Sequence, residues 1–452
     1  MKRRTFLGNS LAVSLAGLYG ASCNTEQMPW DRSPVVESEA VNSIAGLPIK
    51  NLREDYRHRL LDLYITQWEN GGFDSEQGGF TTMLDENGAP TADEKRLIDQ
   101  GDALWVYSYM YTNMGEDEEF LGIATKTRNF LVEQMYVGKG EWYESVSRQG
   151  ELIKDISANV LGWLHAANGL TEYYRATKND EDRDIVFETV WAALREYDAI
   201  GYDGISNNGG IPMDIPLRAL RKLDHSAQVI RLLSNFLTDM KSRRFEEELA
   251  RHLSYVSENF FNPKLGILNV YLNHNYTRID GYEDYMQTAR AIETMTDIMF
   301  AARDTENLAL FEDAVTSIRR YVEIAWDYTF EGLADGHSYV FDGPGRNRMK
   351  LYDRKTLSVH CTAMTALFHI YEFTGEQWAV DWYGRIRAYS TSKFDSGTGV
   401  WPLTLDRFGL PVVNEGPENK RRDVFYQARW LMMNLISIDR MLEQMGVSDE
   451  LV

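Results

Sequence analysis

The sequence predicts an all-α fold, an (α/α)6 toroid of about twelve helices with short β-hairpins on one face. Three observations predict it. Apolar-periodic stretches of helical length recur along the chain, and β-like segments turned by Gly, Asn or Asp separate them. One hairpin is also written twice: GGFTTMLDENGAP at 78–90 and GVWPLTLDRFGLP at 399–411 share Gly78/Gly399, Leu84/Leu405, Asp85/Asp406, Gly88/Gly409 and Pro90/Pro411. An aromatic falls at the same step in both, Phe80 and Trp401. A repeated helix pair, each copy preceded by a hairpin, accounts for all three.

The elements follow in order. Residues 1–22 read as a twin-arginine signal peptide, with basic Lys2, Arg3 and Arg4, the pattern Arg3-Arg4-x-Phe6-Leu7, an apolar run from Leu11 to Tyr19, and small residues up to Ser22. That run is too short to span a bilayer. Cys23 is a candidate for lipidation, which would hold the chain at a membrane surface. The expected location is therefore periplasmic or membrane-anchored. Residues 23–45 are polar and patternless, a flexible tether, and residues 46–452 show no further linker and read as one barrel domain. Period counting places helices at 50–69, 95–113, 118–136, 156–176, 181–198, 216–238, 243–260, 283–303, 306–327, 356–374, 376–392 and 422–445. Between them lie β-like segments at 78–90, 141–153, 265–280, 337–352 and 399–413. DGPGRNRMK at 342–350 has the glycines of a phosphate loop but no Gly-Lys-Ser/Thr, and reads as a turn.

Composition narrows the function. A net charge of −21 over 452 residues argues against a nucleic-acid partner, since phosphate binding needs a positive footprint. Aromatics at 12% suit sugar rings as well as helical cores. The two cysteines, Cys23 and Cys361, leave no internal disulfide once the first is cleaved or lipidated, and eight scattered histidines without a Cys/His cluster give no metal site.

Several stretches together resemble the N-acylglucosamine 2-epimerase family, which includes the cellobiose 2-epimerases and several aldose–ketose isomerases. They are Gly78-Gly79-Phe80 with Leu84-Asp85-Glu86-Asn87-Gly88, then Gln100-Gly101-Asp102-Ala103-Leu104-Trp105, Lys355 to Ala363, and HIYEFTGEQWAVDWY after it. The likeness spans most of residues 50–445. It implies an (α/α)6 barrel whose hairpins wall a saccharide-binding cleft, with no cofactor. It also implies proton abstraction next to an open-chain sugar carbonyl, usually by paired histidines with an arginine nearby. This sequence departs from that pattern: the arginine position holds Asp102, and of the three expected histidines only His225 stands, with Tyr282 and the Tyr426-Gln427 pair at the others.

The expected catalytic residues are accordingly His225, Tyr282 and His360. Trp105, Asp102, Glu283, Lys355, Tyr426 and Arg429 are the expected substrate-binding residues. A phenol and an imidazole can exchange a proton α to a carbonyl or carboxylate, the chemistry of epimerisation and of polysaccharide β-elimination alike. Arg429, in Gln427-Ala428-Arg429-Trp430, is placed to replace the missing arginine. Glu283-Asp284 with Asp102 would instead supply the two carboxylates of a glycoside hydrolase. A non-catalytic glycan-binding lipoprotein is the third reading.

Overall fold

The computed structural model describes residues 43–85, 88–155, 160–200, 202, 220–338, 353–397, 399–412 and 422–446. The signal peptide with Cys23, most of the tether and the turn at 342–350 lie outside them. Ser43–Ile44 pairs with Leu47–Pro48 and buries Ile44, so the last tether residues belong to the folded body.

Twelve α-helices follow among the described residues. They are α1 Ile49–Arg57, α2 Leu97–Asn113, α3 Glu118–Phe130, α4 Val160–Thr177, α5 Asp180–Asp198, α6 Leu223–Asp239, α7 Arg243–Ser254, α8 Thr288–Asp304, α9 Leu308–Ala325, α10 Leu357–Thr374, α11 Gln377–Lys393 and α12 Tyr426–Gln444. The even-numbered helices pack in a ring, each on the next, and α12 returns to α2. Each odd-numbered helix lies outside its even neighbour, α1 closing on α12. This is the (α/α)6 toroid that the sequence predicts.

Sequence position explains the two layers. The inner helices are buried around most of their circumference: α10 exposes almost nothing over LSVHCTAMTALFHI. The outer α7, RRFEEELARHLS, buries only Phe245, Leu249, His252 and Leu253, one stripe at helical spacing. Outer helices α1, α3 and α7 run on into π-helical turns, His58–Ile65, Leu131–Met135 and Tyr255–Phe260, near the hairpins. The expected starts of α6, α8 and α12 move inward to Leu223, Thr288 and Tyr426. For α8 the reason is visible, since Tyr285–Gln287 pairs antiparallel with Gly336–Ser338 and is held extended.

The duplicated hairpin is one structural unit used twice. Leu84 bridges Pro90 and Leu405 bridges Pro411. In both turns an aspartate accepts from the backbone four residues on, Ala89 N to Asp85 Oδ1 at 2.9 Å and Leu410 N to Asp406 Oδ1 at 3.0 Å. Gly78 and Gly399 have φ near +78° and +86°, and a Cβ there would meet Lys126 O at 2.4 Å and Leu63 C at 2.7 Å. A glutamine of the following inner helix then clamps each hairpin. Gln100 accepts from Phe80 N (2.7 Å) and donates to Phe80 O (2.8 Å); Gln427 accepts from Trp401 N (3.1 Å) and donates to Gly399 O (2.6 Å). The two copies flank the segment that continues α1, with Leu63 on Gly399 and Trp68 edge-on to Phe80.

Candidate active site

The hairpins and the N-terminal ends of the inner helices enclose a cavity of about 320 Å³, within the range of small-ligand sites. All inner helices except α6 line it, through Asp102, His165, Arg290, Ser358 and Tyr426 among others. Asp102 Oδ1 lies 2.6 Å from His165 Nδ1, both side chains largely buried, 11% and 12% exposed. With Nδ1–H donating to that carboxylate, Nε2 is the ring's acceptor. Tyr426 Oη accepts from Arg290 Nη1 at 2.9 Å, and the same nitrogen donates to Glu293 Oε2 at 3.0 Å. Burial raises the Tyr426 phenol above its ordinary value, so it enters chemistry protonated, as a donor. Asp423 caps α12, its oxygens accepting from Gln427 N (2.8 Å) and Tyr426 N (3.0 Å). Burial, with Asp102 nearby, lifts Asp423 to about 6 against those backbone bonds. Three arginines and three aspartates line the cavity, a balanced set.

Beneath it the barrel axis is closed by ion pairs. Arg231 holds Asp297 through Nε (3.1 Å) and Nη2 (2.9 Å), and Glu293 through Nη2 (2.7 Å). Arg429 approaches Asp297 at 3.5 Å. A register explains this polar centre. Five residues after the start of α2, α4, α6, α8 and α10 stand Asp102, His165, Gln228, Glu293 and Thr362. Arg429 takes the same place in α12 once Gln427 is aligned with Gln100.

Of the residues expected from sequence, Asp102 and Tyr426 meet in this cavity. The others do not. His225 is buried against Tyr197 and Tyr202, its Nδ1 2.5 Å from Tyr202 Oη, and burial lowers it to about 4. His360 is wholly buried, Nδ1 donating to Thr356 O (2.7 Å) and Nε2 accepting from Leu333 N (3.0 Å). It stands three residues into α10, where Gln100 stands in α2, and makes the same kind of hairpin clamp. Lys355 is sealed under its own hairpin, donating to Phe330 O (3.1 Å) and Glu331 O, with burial lowering it to about 8. Lys95, two residues before α2, holds the first hairpin alike through Gly78 O (2.7 Å). Tyr282 and Glu283 sit in the turn before the strand at Tyr285, the Glu283 carbonyl accepting from Asn262 and Asn269 side chains. Trp105 and Arg429 face the other end of the barrel.

Sequence reasoning missed His165, Arg290 and Asp423. His165 sits in GWLHAANGL, whose periodicity reads as plain core. The register shared with Asp102 was the available signal.

Comparison with known proteins agrees with this architecture. No family model matches the chain. A cellobiose 2-epimerase from Dictyoglomus turgidum is 29% identical over 145 residues, 31% of this chain and 36% of that protein. The cellobiose 2-epimerase structure from Bacillus thermoamylovorans superposes with a TM-score of 0.71 at 19% identity, covering 86% of this chain and all of that one. This is the cellobiose 2-epimerase fold. The resemblance read from the sequence is borne out at that level, through near-complete coverage of an epimerase chain by this barrel. A family 76 mannosidase from Bacteroides thetaiotaomicron shares the epimerase fold more loosely, with a TM-score of 0.56 at 9% identity over 87% of this chain.

Proposed function

We infer that this chain is a saccharide-modifying enzyme of the epimerase–isomerase kind, moving a proton at the carbon beside an open-chain sugar carbonyl. The observation that carries this reading is the Asp102–His165 pair in one cavity with the Arg290–Tyr426 pair. His165 Nε2 takes the proton from the carbon, and Asp102 stabilises the imidazolium that forms. The electron pair moves onto the carbonyl oxygen, where the Tyr426 hydroxyl and Arg290 stabilise the enediolate. The proton of the adjacent hydroxyl passes to the former carbonyl oxygen, leaving a new carbonyl, and His165 returns its proton to the neighbouring carbon. One base on one face suffices to carry a proton between neighbouring carbons, so aldose–ketose isomerisation fits this cavity better than inversion. The balanced charge of the lining favours a neutral sugar over a uronic acid.

A hydrolase is the second reading, favoured by Asp102 and Asp423 lining one cavity and by the looser likeness to a mannosidase. Asp423 is committed to capping α12, which weakens it. Incubating the full chain with mannose, glucose and cellobiose in deuterium oxide separates the readings by NMR. Deuterium beside the carbonyl of an intact or isomerised sugar is expected. Cellobiose cleavage without exchange would transfer the assignment to a hydrolase, and an absorbing unsaturated product from a polyuronide to a lyase. Binding with no turnover would leave a glycan-binding protein. The Arg3-Arg4 pattern and Cys23 support export and lipid attachment. Cell fractionation of Arg3→Lys/Arg4→Lys and Cys23→Ala chains tests this, retention inside the cell and release from the membrane being the respective expectations.

A further inference from the structure

A second chamber, of about 280 Å³, opens at the opposite end of the barrel, lined by all six inner helices, with Arg429 and Met433 reaching it from the first half of α12. The Arg231–Glu293–Asp297–Arg429 ion pairs separate it from the hairpin-side cavity. Its rim residues Asn113, Thr238 and Asp304 are exposed, while Trp105, Glu172, His369 and Arg429 on its floor and walls are buried. It is thus a funnel leading inward from the surface.

The polar groups on that floor are not all satisfied from within the protein. Four lining arginines meet carboxylates: Arg231 with Asp297, Arg175 with Glu172 at 3.0 Å, Arg303 with Asp304 at 2.8 Å, and Arg440 with Glu372 at 2.6 Å. Arg429 differs. It is 5% exposed, and its five N–H donors have one long contact, Asp297 at 3.5 Å. Trp105 Nε1 and Glu172 Oε1, on residues 4% and 1% exposed, have no hydrogen-bond partner. Buried donors and acceptors left this way cost stability unless something in the chamber pairs with them.

What pairs with them is constrained by charge and shape. Five arginines and three carboxylates line the chamber, but four of the arginines are committed to Asp297, Glu172, Asp304 and Glu372. An anion would have Arg429 alone to meet, against Glu172, Asp297, Asp304 and the negative ends of converging helices, so an anion pocket is disfavoured. A bare cation would face Arg429. Unpaired donor and acceptor stand on one floor, and the Trp105 ring, stacked on Tyr109 at 4.7 Å, offers an apolar face beside them. Mixed donors and acceptors next to an aromatic plane suit a ligand that is neutral, hydroxyl-rich and partly apolar. We propose that this chamber binds a neutral mono- or disaccharide at a site separate from the hairpin-side cavity. The inference does not depend on the chemistry assigned to His165.

Calorimetric titration of the full chain with glucose, mannose and cellobiose, and with sodium sulfate as the anion probe, tests it. Three variants are compared: His165→Ala in the first cavity, Ser234→Trp to fill the chamber, and Thr238→Trp at its exposed rim. The expected result is saturable binding of at least one sugar that survives His165→Ala and weakens about tenfold or more in both tryptophan variants, the loss of roughly one good contact. Thr238→Trp, at an exposed position, keeps the test valid if Ser234→Trp fails to fold. Sugar binding unchanged by both tryptophan variants would overturn the proposal. So would saturation by sulfate in place of sugar, or no binding of any of the three sugars.

Discussion

At the scale of single residues, the proposed chemistry rests on a few side chains whose surroundings fix their roles. His165→Ala is expected to lower deuterium exchange into the sugar by about 10²–10⁴-fold, the usual worth of a placed general base, in a variant that stays folded. Unchanged exchange in a folded variant would remove His165 from the mechanism. Tyr426→Phe keeps the ring and deletes the donor, so kcat should fall by about 10²–10³-fold with KM little altered. A rise in KM alone would make Tyr426 a binding group only. His165 escaped the sequence reading because its neighbours Trp163, Leu164, Ala166 and Ala167 are all core residues, and its partner Asp102 lies 63 positions away.

At the scale of elements, the clamp is the instructive feature. Gln100, Gln427 and His360 occupy one register of three inner helices and hold three hairpins by their backbones. Gln427→Leu strands the Trp401 N–H and the Gly399 carbonyl in a buried place. Chemical denaturation should show a loss of roughly 2–4 kcal/mol, about one to two for each orphaned group. For His360 the register yields a sharper expectation. His360→Leu should destabilise by about 1–3 kcal/mol, whereas His360→Gln, the residue the repeat itself uses elsewhere, should preserve both stability and turnover. A His360→Gln protein that folds normally but has lost activity would restore His360 to the catalytic set suggested by the family resemblance. The hairpin copies were legible in the sequence because turn chemistry is local: glycine at positive φ and an aspartate bonding four residues on. Which side chain would clamp them was not, since a glutamine and a histidine share no sequence signal for that task.

At the scale of the whole molecule, the buried titrating groups set a pH dependence. Burial lowers His225, His360 and His369 to about 4 in the folded state, against roughly 6.5 when unfolded. Between those values the unfolded chain binds more protons, so stability is present above about pH 6.5 and is lost as pH falls toward 4. Against the cost of burial, Arg231 and Arg290 hold Glu293 at about 2, which extends the loss to lower pH. Asp423 works the other way: raised to about 6, it contributes stability at low pH that disappears as pH rises through 6. Burial raises Glu172, Asp182, Asp297 and Asp335 in the same sense as Asp423, while His252 is lowered further than the other three histidines. The histidines act over the whole interval from about 6.5 to about 4, so the unfolding midpoint should drop on acidification from pH 7 to 4.5. A midpoint that rises over that range would show that the raised carboxyls outweigh them.

By itself the sequence determined the architecture. Twelve helical periods, the recurrent Gly/Asp turns and a twice-written hairpin are local properties, and closing a ring is the way such pairs bury their apolar faces. It also raised the expectation that the chemistry departs from that of the family it resembles, because Asp102, Tyr282 and Gln427 stand where an arginine and two histidines are expected. Only the tertiary structure decided which polar residues share a cavity. Asp102 meets His165 across two inner helices, while His225, His360 and Lys355 turn toward tyrosines and hairpin backbone. The physical reason is that inner helices are buried on nearly every side, so the hydrophobic pattern no longer marks a face. Whether a polar side chain points to the axis or to a hairpin then depends on the helix's rotation, which is set by packing between elements far apart in the chain.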